Sequence, residues 1–220
     1  MIRHFHEQLE NTKIKLLRMI AMADKFLNEA VRAFLDCDGA TAKRILDFDN
    51  ELDDLENELD DACLKMLALD QPVAADLRYI VATMRLSTDI ERIGDETKGL
   101  AQQTTMLPGL ADDGHIPSLE KLALLTKKMF RTSVDSFRNA DAGLAREVFE
   151  LENQANALYG QILEECLALD NELIPNTPTA LRLIFIARCL ERICDLSTNV
   201  AESTIFVLAG VSIKHHWPEA

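Results

Sequence analysis

"AVRAFLDCDGATAKRILDFDN" (residues 30–50) returns, altered but in register, as "SVDSFRNADAGLAREVFELEN" (133–153), an offset of 103. Further along, "LALD" stands at 67–70 and again at 167–170, an offset of 100, so the second copy is three residues shorter in its middle helix. "ERIGD" (91–95) and "ERICD" (191–195) keep that offset of 100. Two copies of a unit this long are an internal duplication, not a short solenoid repeat. The fold follows from what one unit is.

Each unit reads as three helices. Leu16, Ile20, Ala23, Leu27, Ala30 and Phe34 recur at steps of four and three, which places one apolar stripe on a first helix over 5–36. "DCDG" (36–39) ends it, with Gly39 as the expected stop. A second helix to residue 69 carries Ile45, Phe48, Leu52, Leu55, Leu59, Ala62 and Met66. After "DQP" (70–72), Pro72 suits the first turn of a third helix that reaches 104. "MLPGLADDGHIP" (106–117) is the one stretch rich in Gly, Pro and Asp and reads as a linker. Helices over 118–139, to 169, and from 178 to 210 repeat the order. The expectation is an all-α protein of six helices in two pseudo-symmetric three-helix bundles, 1–105 and 118–213, with a tail over 214–220.

Composition agrees. Eight Gly, six Pro and 5% aromatic residues in 220 favour long helices over sheet. The formal net charge of −14 repels phosphate backbones and anionic lipid, so nucleic acid is excluded as a partner and any membrane contact runs through other proteins. The acidity suits cations or basic partners, or serves solubility alone. Five cysteines, an odd number with no Cys-x-x-Cys, describe a reduced cytosolic chain without a disulfide frame or zinc finger. The polar start "MIRHFHEQLE" is no signal peptide, and "IFVLAGVSI" (205–213) is too short to span a bilayer.

The repeated pentapeptides carry the chemistry. Glu91 and Asp95 are four apart, so both point the same way, away from the stripe of Leu86, Ile90, Ile93, Thr97 and Leu100. The last helix repeats this with Glu191, Asp195, Asn199 and Glu202 opposite Ile186, Leu190, Ile193 and Val200. The middle helices add Asp49 and Asp53, with Glu152 and Asn156 at the corresponding positions. A solvated face is the plain reading of such acids. Against it, the pattern is kept in both halves, and it lacks the Glu-to-Lys spacing that stabilises exposed helices. Clustered carboxylates repel one another unless a cation sits between them, and hard cations take all-oxygen ligands.

"PVAADLRYIVATMRLSTDIERIGDETKGLAQ" (72–102) and "LRLIFIARCLERICDLSTNVAESTIFVLAG" (181–210) resemble the two signature segments of the PhoU family of phosphate-specific transport system accessory proteins. The resemblance covers nearly the whole chain. It implies two three-helix bundles related by a pseudo-twofold axis and multinuclear metal sites on the bundle surfaces. Carried over, the first site would use Asp49, Asp53, Glu91 and Asp95, and the second Glu152, Glu191, Asp195 and Asn199, with Mg, Mn, Fe or Zn as the ion. Asn156 stands where an acid is expected, which weakens the second site, and Gly99 stands where the family has Asn after Asp95. The resemblance further implies a homodimeric cytoplasmic adaptor, peripheral to the inner face of the membrane. It would link a phosphate ABC transporter ATPase subunit to a sensor histidine kinase, repress the phosphate-starvation response and restrain uptake, without catalysis.

The rival readings are an accessory of another phosphate carrier and a carboxylate-cluster metalloenzyme. A di-iron oxidase needs Glu-x-x-His pairs, and the chain has none. Arg78, Arg85 and Arg92, seven apart, form a line that either pairs with neighbouring acids or docks an acidic partner. Cys194 reads as a small packing position matching Gly94, with a redox or metal role as the alternative. "HFH" (4–6) and "KHHW" (214–217) read as solvated termini.

Overall fold

The computed structural model describes residues 2–46, 50–107, 116–172 and 177–211. Among these there are seven helices and no strand. They are α1 (Ile2–Leu35), α2 (Gly39–Ile45), α3 (Asn50–Asp70), α4 (Ala74–Thr105), α5 (Pro117–Asn139), α6 (Ala142–Glu172) and α7 (Thr177–Ala209). In the first half, α1, α3 and α4 pack on one another, and the short α2 lies against α1 and α4. In the second half, α5, α6 and α7 pack on one another, and α4 against α7 and α1 against α5 join the two halves.

The apolar stripes go where their period sends them. Leu16, Ile20, Ala23, Leu27, Ala30 and Phe34 are all buried, as are Leu86, Ile90, Ile93, Thr97 and Leu100 on α4 and Ile186, Leu190, Ile193 and Val200 on α7. One contiguous apolar cluster runs from Leu16 to Ile205 through both halves. A smaller cluster of Leu9, Cys63, Met66 and Ile80 closes the far end of the first. On α3 the stripe leaves the expected line at one point: Cys63, not Ala62, is fully buried. Phe48 lies outside the described residues.

The duplication survives at atomic detail in the turns. Cys37 and Ala140, 103 apart, both take left-handed backbone, at φ 53° and 52°. Asp38 N donates to Ala33 O at 2.8 Å, and Asp141 N to Ser136 O at 2.9 Å, which is the six-to-one bond of a Schellman stop in each copy. The same aspartates then begin the next helix. Asp38 Oδ1 accepts from Ala40 N and Thr41 N at 3.1 and 3.0 Å, and Asp141 Oδ1 from Gly143 N and Leu144 N at 2.7 and 3.2 Å. The stop is therefore Cys37, and Gly39 opens α2 instead of ending α1. Two further boundaries differ from expectation. The single helix expected over 40–69 is two, because α2 ends at Ile45, whereas its counterpart α6 is one continuous helix. Pro72 precedes α4, whose N-cap is Val73.

Candidate functional site

The small fourth residue of each pentapeptide faces a neighbouring helix. A Cβ at Gly94 would stand 2.5 Å from Leu52 Cδ1 on α3, so the Leu52 side chain fills the space that glycine leaves open. Cys194 is 1% exposed, and its Sγ is 3.3 Å from Thr126 Oγ1 on α5. Burial pushes its thiol up to about 12, which leaves it inert as a ligand or redox group at neutral pH and supports the packing role.

That approach of α3 brings its acids to the α4 pair. Glu91 is half-buried, and its carboxyl is raised to about 7, first by loss of hydration and then by the charges of Asp95, Glu56 and Asp53, against a smaller pull from Arg92. Asp53, Glu91 and Asp95 therefore share one electrostatic neighbourhood, and Glu56 joins them. Glu56 was not among the expected residues, although its position three after Asp53 marks it as a same-face neighbour. Asp49 lies outside the described residues.

The second acid face is built on α6 and α7. Glu152 is raised by desolvation and by the charges of Asp195 and Glu202. Glu191 is raised by desolvation and Asp195, with Arg188 and Arg192 opposing. Asp195, although exposed, titrates upward because the surrounding protein limits its hydration, again against the two arginines. Arg188 Nη1 sits 2.8 Å from Glu191 Oε2, and Arg192 Nη1 sits 2.9 Å from Glu96 Oε1. Two guanidinium groups thus offset this face, whereas one weakly opposes the first. Glu202, read on this face from the sequence but left out of the ligand set, lies seven residues after Asp195, two turns along.

Asn199 is tied to α4. Its Nδ2 donates to Asp89 Oδ1 on α4 at 3.3 Å. Asn156 is exposed. The arginine line also resolves differently from either expectation. Arg78 Nε donates to Val207 O at 3.2 Å, and Arg85 stands 4.9 Å from the ring centroid of Phe206. Those two side chains hold α7; they make neither a free docking stripe nor pairs with surface acids.

Both faces offer oxygen donors alone, and burial together with neighbouring charge favours the protonated form at Glu91, Glu152 and Glu191. That chemistry fits a hard cation. Among the described residues, no three Asp, Glu, His or Cys side chains already converge on one point. Nor does any helix among them have the length and apolar character to cross a membrane.

An all-helical duplicated chain with matching acid faces is the class of protein these features define. Its sequence matches the family model of the PhoU domain twice, over residues 16–104 and 119–204, and the chain belongs to the PhoU family. It is 30% identical over 215 residues to the phosphate-specific transport system accessory protein PhoU homolog of Pseudomonas aeruginosa, covering 97% of this chain and 88% of that one. It is 31% identical to the homolog of Aquifex aeolicus, over 95% of each chain. The crystal structure of PhoU from Pseudomonas aeruginosa superposes with a TM-score of 0.87 at 30% identity, covering 94% of this chain and all of the other. The phosphate transport system regulatory protein PhoU of Streptococcus pneumoniae shares the fold, with a TM-score of 0.85 at 23% identity over 94% of this chain and 98% of that one.

Proposed function

We propose that the protein is a regulatory adaptor of phosphate homeostasis, linking the ATPase subunit of a phosphate ABC transporter to a sensor histidine kinase, so that the phosphate-starvation response is repressed and uptake restrained when phosphate is ample. The observation that carries this reading is the match of both halves, along nearly the full chain, to proteins named as accessory to phosphate-specific transport. The mechanism is contact, without bond chemistry. The adaptor is a pair of matching three-helix bundles, works as a homodimer and meets the membrane through its partners at the cytoplasmic face. In a strain lacking the gene, a phosphate-starvation reporter stays on in phosphate-rich medium, and removing the kinase as well turns it off. Normal repression in the single deletion rejects the adaptor.

Within that role, the acid faces hold metal ions of the Mg, Mn, Fe or Zn kind. Asp49, Asp53, Glu91 and Asp95 serve one face, with Glu56 beside them, and Glu152, Glu191 and Asp195 serve the other. A bound ion supplies positive charge that relieves carboxylate repulsion and ties neighbouring helices together. The raised Glu91 supports this, because a group held off its charged form by burial and by like charges gains from a nearby cation. Metal analysis after loading and gel filtration of the purified protein tests it.

A further inference from the structure

We propose that an apolar crevice at the junction of the two halves is the seat of the chain's own residues that follow α7, with Trp217 filling it. This is independent of the adaptor role and of the acid faces. The crevice measures about 290 Å³ and opens between α1, α4, α5 and α7. Its walls are mainly apolar, from Leu17, Tyr79, Phe137, Val207 and Leu208. It is open to the outside, since Leu17 and Leu208 are 41% and 42% exposed. Two cations stand in the lining, Lys13 and Arg138. Each is held by an acid one turn away on its own helix, Glu10 at 2.6 Å and Asp135 at 3.5 Å. With both charges answered, the crevice calls for an apolar occupant and not for an anion.

The duplication says which one. Residues matching the lining at offsets of 100 and 103 build an equivalent place: Ile116 for Lys13, Phe34 for Phe137, Leu35 for Arg138 and Leu107 for Val207. That place is closed. Ile116 and Phe34 are 6% and 5% exposed, and Leu35 and Leu107 pack against the core. Leu107 stands just after α4 and Ile116 just before α5, so the segment that leaves α4 supplies the cover. Its counterpart at an offset of 100 is 207–217, the segment that leaves α7. Where Ile116 closes one place, the other has the cation Lys13, so an apolar cover there has to come from further along the chain.

The exit of the chain is already beside the crevice. Arg78 Nε donates to Val207 O at 3.2 Å, which fixes the last turn of α7 on α4. Gly210 then ends the helix in left-handed backbone, φ 71°, with its N–H on Phe206 O at 2.9 Å, and turns the chain off the helix axis. Residues 212–220 lie outside the described residues. Their sequence carries two large apolar side chains, Ile213 and Trp217. Six residues of extended chain reach about 20 Å, so Trp217 can return from Val211 to the level of Val207 and Leu208. Its indole has the larger apolar area to bury. Trp217 belongs to the stretch that the sequence alone reads as solvated; the crevice gives its ring an apolar place.

The test uses the fluorescence of the full chain, in which Trp217 is the one tryptophan. The expected result is emission shifted to the blue of the same protein in denaturant, and quenching by acrylamide several-fold weaker than that of free N-acetyltryptophanamide. Leu17→Glu and Leu208→Glu each put a charge into the crevice, and each should return emission and quenching towards the free values. Leu64→Glu, on the exposed side of α3 and outside the crevice, should leave both unchanged. Circular dichroism checks each variant. If Leu208→Glu frays α7, Leu17→Glu, on a different helix from the tail, carries the test alone. Emission in the native chain at the denatured position overturns the proposal. So does protection that survives Leu17→Glu in a folded variant, and so does a blue shift lost on dilution, which would mean that the crevice takes Trp217 from a second copy.

Discussion

Asn199 Nδ2 on α7 donates to Asp89 Oδ1 on α4 at 3.3 Å, and Asp89 is only 8% exposed. Asn199 lies four residues past Asp195, one turn further along α7, where the helix meets α4. Its Nδ2–H steadies a buried carboxylate. Asn199→Ala therefore lowers stability by about 1 kcal/mol and leaves bound metal unchanged. Denaturant unfolding and metal analysis of the same sample read both; a fall in metal content would return Asn199 to the ligand set.

Glu91→Gln with Asp95→Asn removes two charges from the face that the arginines offset least. Bound Mn or Fe falls in this double variant more than in Glu191→Gln with Asp195→Asn, whose face Arg188 and Arg192 already offset. The helical spectrum stays as in the unsubstituted protein, because Glu91 and Asp95 lie off the buried stripe. An equal metal content in the unsubstituted protein and in the Glu91 and Asp95 variant, after mild chelation, refutes the assignment.

In chelated, metal-free protein the raised carboxyls set a pH dependence. Glu91 moves from an ordinary 4.5 to about 7, so between those values the folded state holds more protons than the unfolded one. Stability then declines as pH rises through that window. Glu152, Glu191 and Asp195 act in the same direction. Asp38 and Glu58 are lowered instead, and their stabilising contributions are lost only as pH drops below their ordinary 3.8 and 4.5, outside the window. Melting temperatures at pH 5, 6, 7 and 8 should fall less steeply in Glu91→Gln than in the unsubstituted protein. Parallel curves would show that Glu91 does not titrate there.

Two glycines inside helices should respond oppositely. Gly94→Val drives a branched side chain into Leu52, itself 3% exposed, and costs about 1–3 kcal/mol by overpacking. Gly160→Ala meets nothing within 4 Å on the exposed side of α6 and stabilises by about 0.5–1 kcal/mol through helix propensity. Thermal unfolding of the pair, measured side by side, checks the sign of each.

The stripes and the paired acids were legible because a 3.6-residue period fixes which face a side chain takes, whatever the helix packs against. Glu91 and Asp95 could be placed together on that ground alone. What lay across from them could not. The neighbourhood of Glu56 depends on how α3 lies against α4, where Leu52 fills the space beside Gly94. The Cys37 stop escaped notice because glycine is the usual left-handed residue, and Gly39 stood two positions away. Arg78 and Arg85 read as a surface line because a helical wheel does not show that α7 passes over them.

Glu191→Gln with Asp195→Asn separates stability from signalling. A cation bound only by the folded chain adds folding free energy by mass action, and a thousandfold excess over its dissociation constant adds about 4 kcal/mol. Weakening that site should lower the melting temperature in metal-containing buffer while leaving it nearly unchanged in chelator. The adaptor role rests on broad surfaces that meet other proteins, to which a single exposed side chain such as Asp195 adds little. The double variant should therefore keep most of its repression of a phosphate-starvation reporter in rich medium while melting earlier. Both quantities are to be measured for the same variant, with protein levels checked in the cell. Full loss of repression at an unchanged melting temperature would make the acid face itself the signalling surface. Loss of both together, with normal protein levels, would mean that metal-held geometry is what the partners recognise.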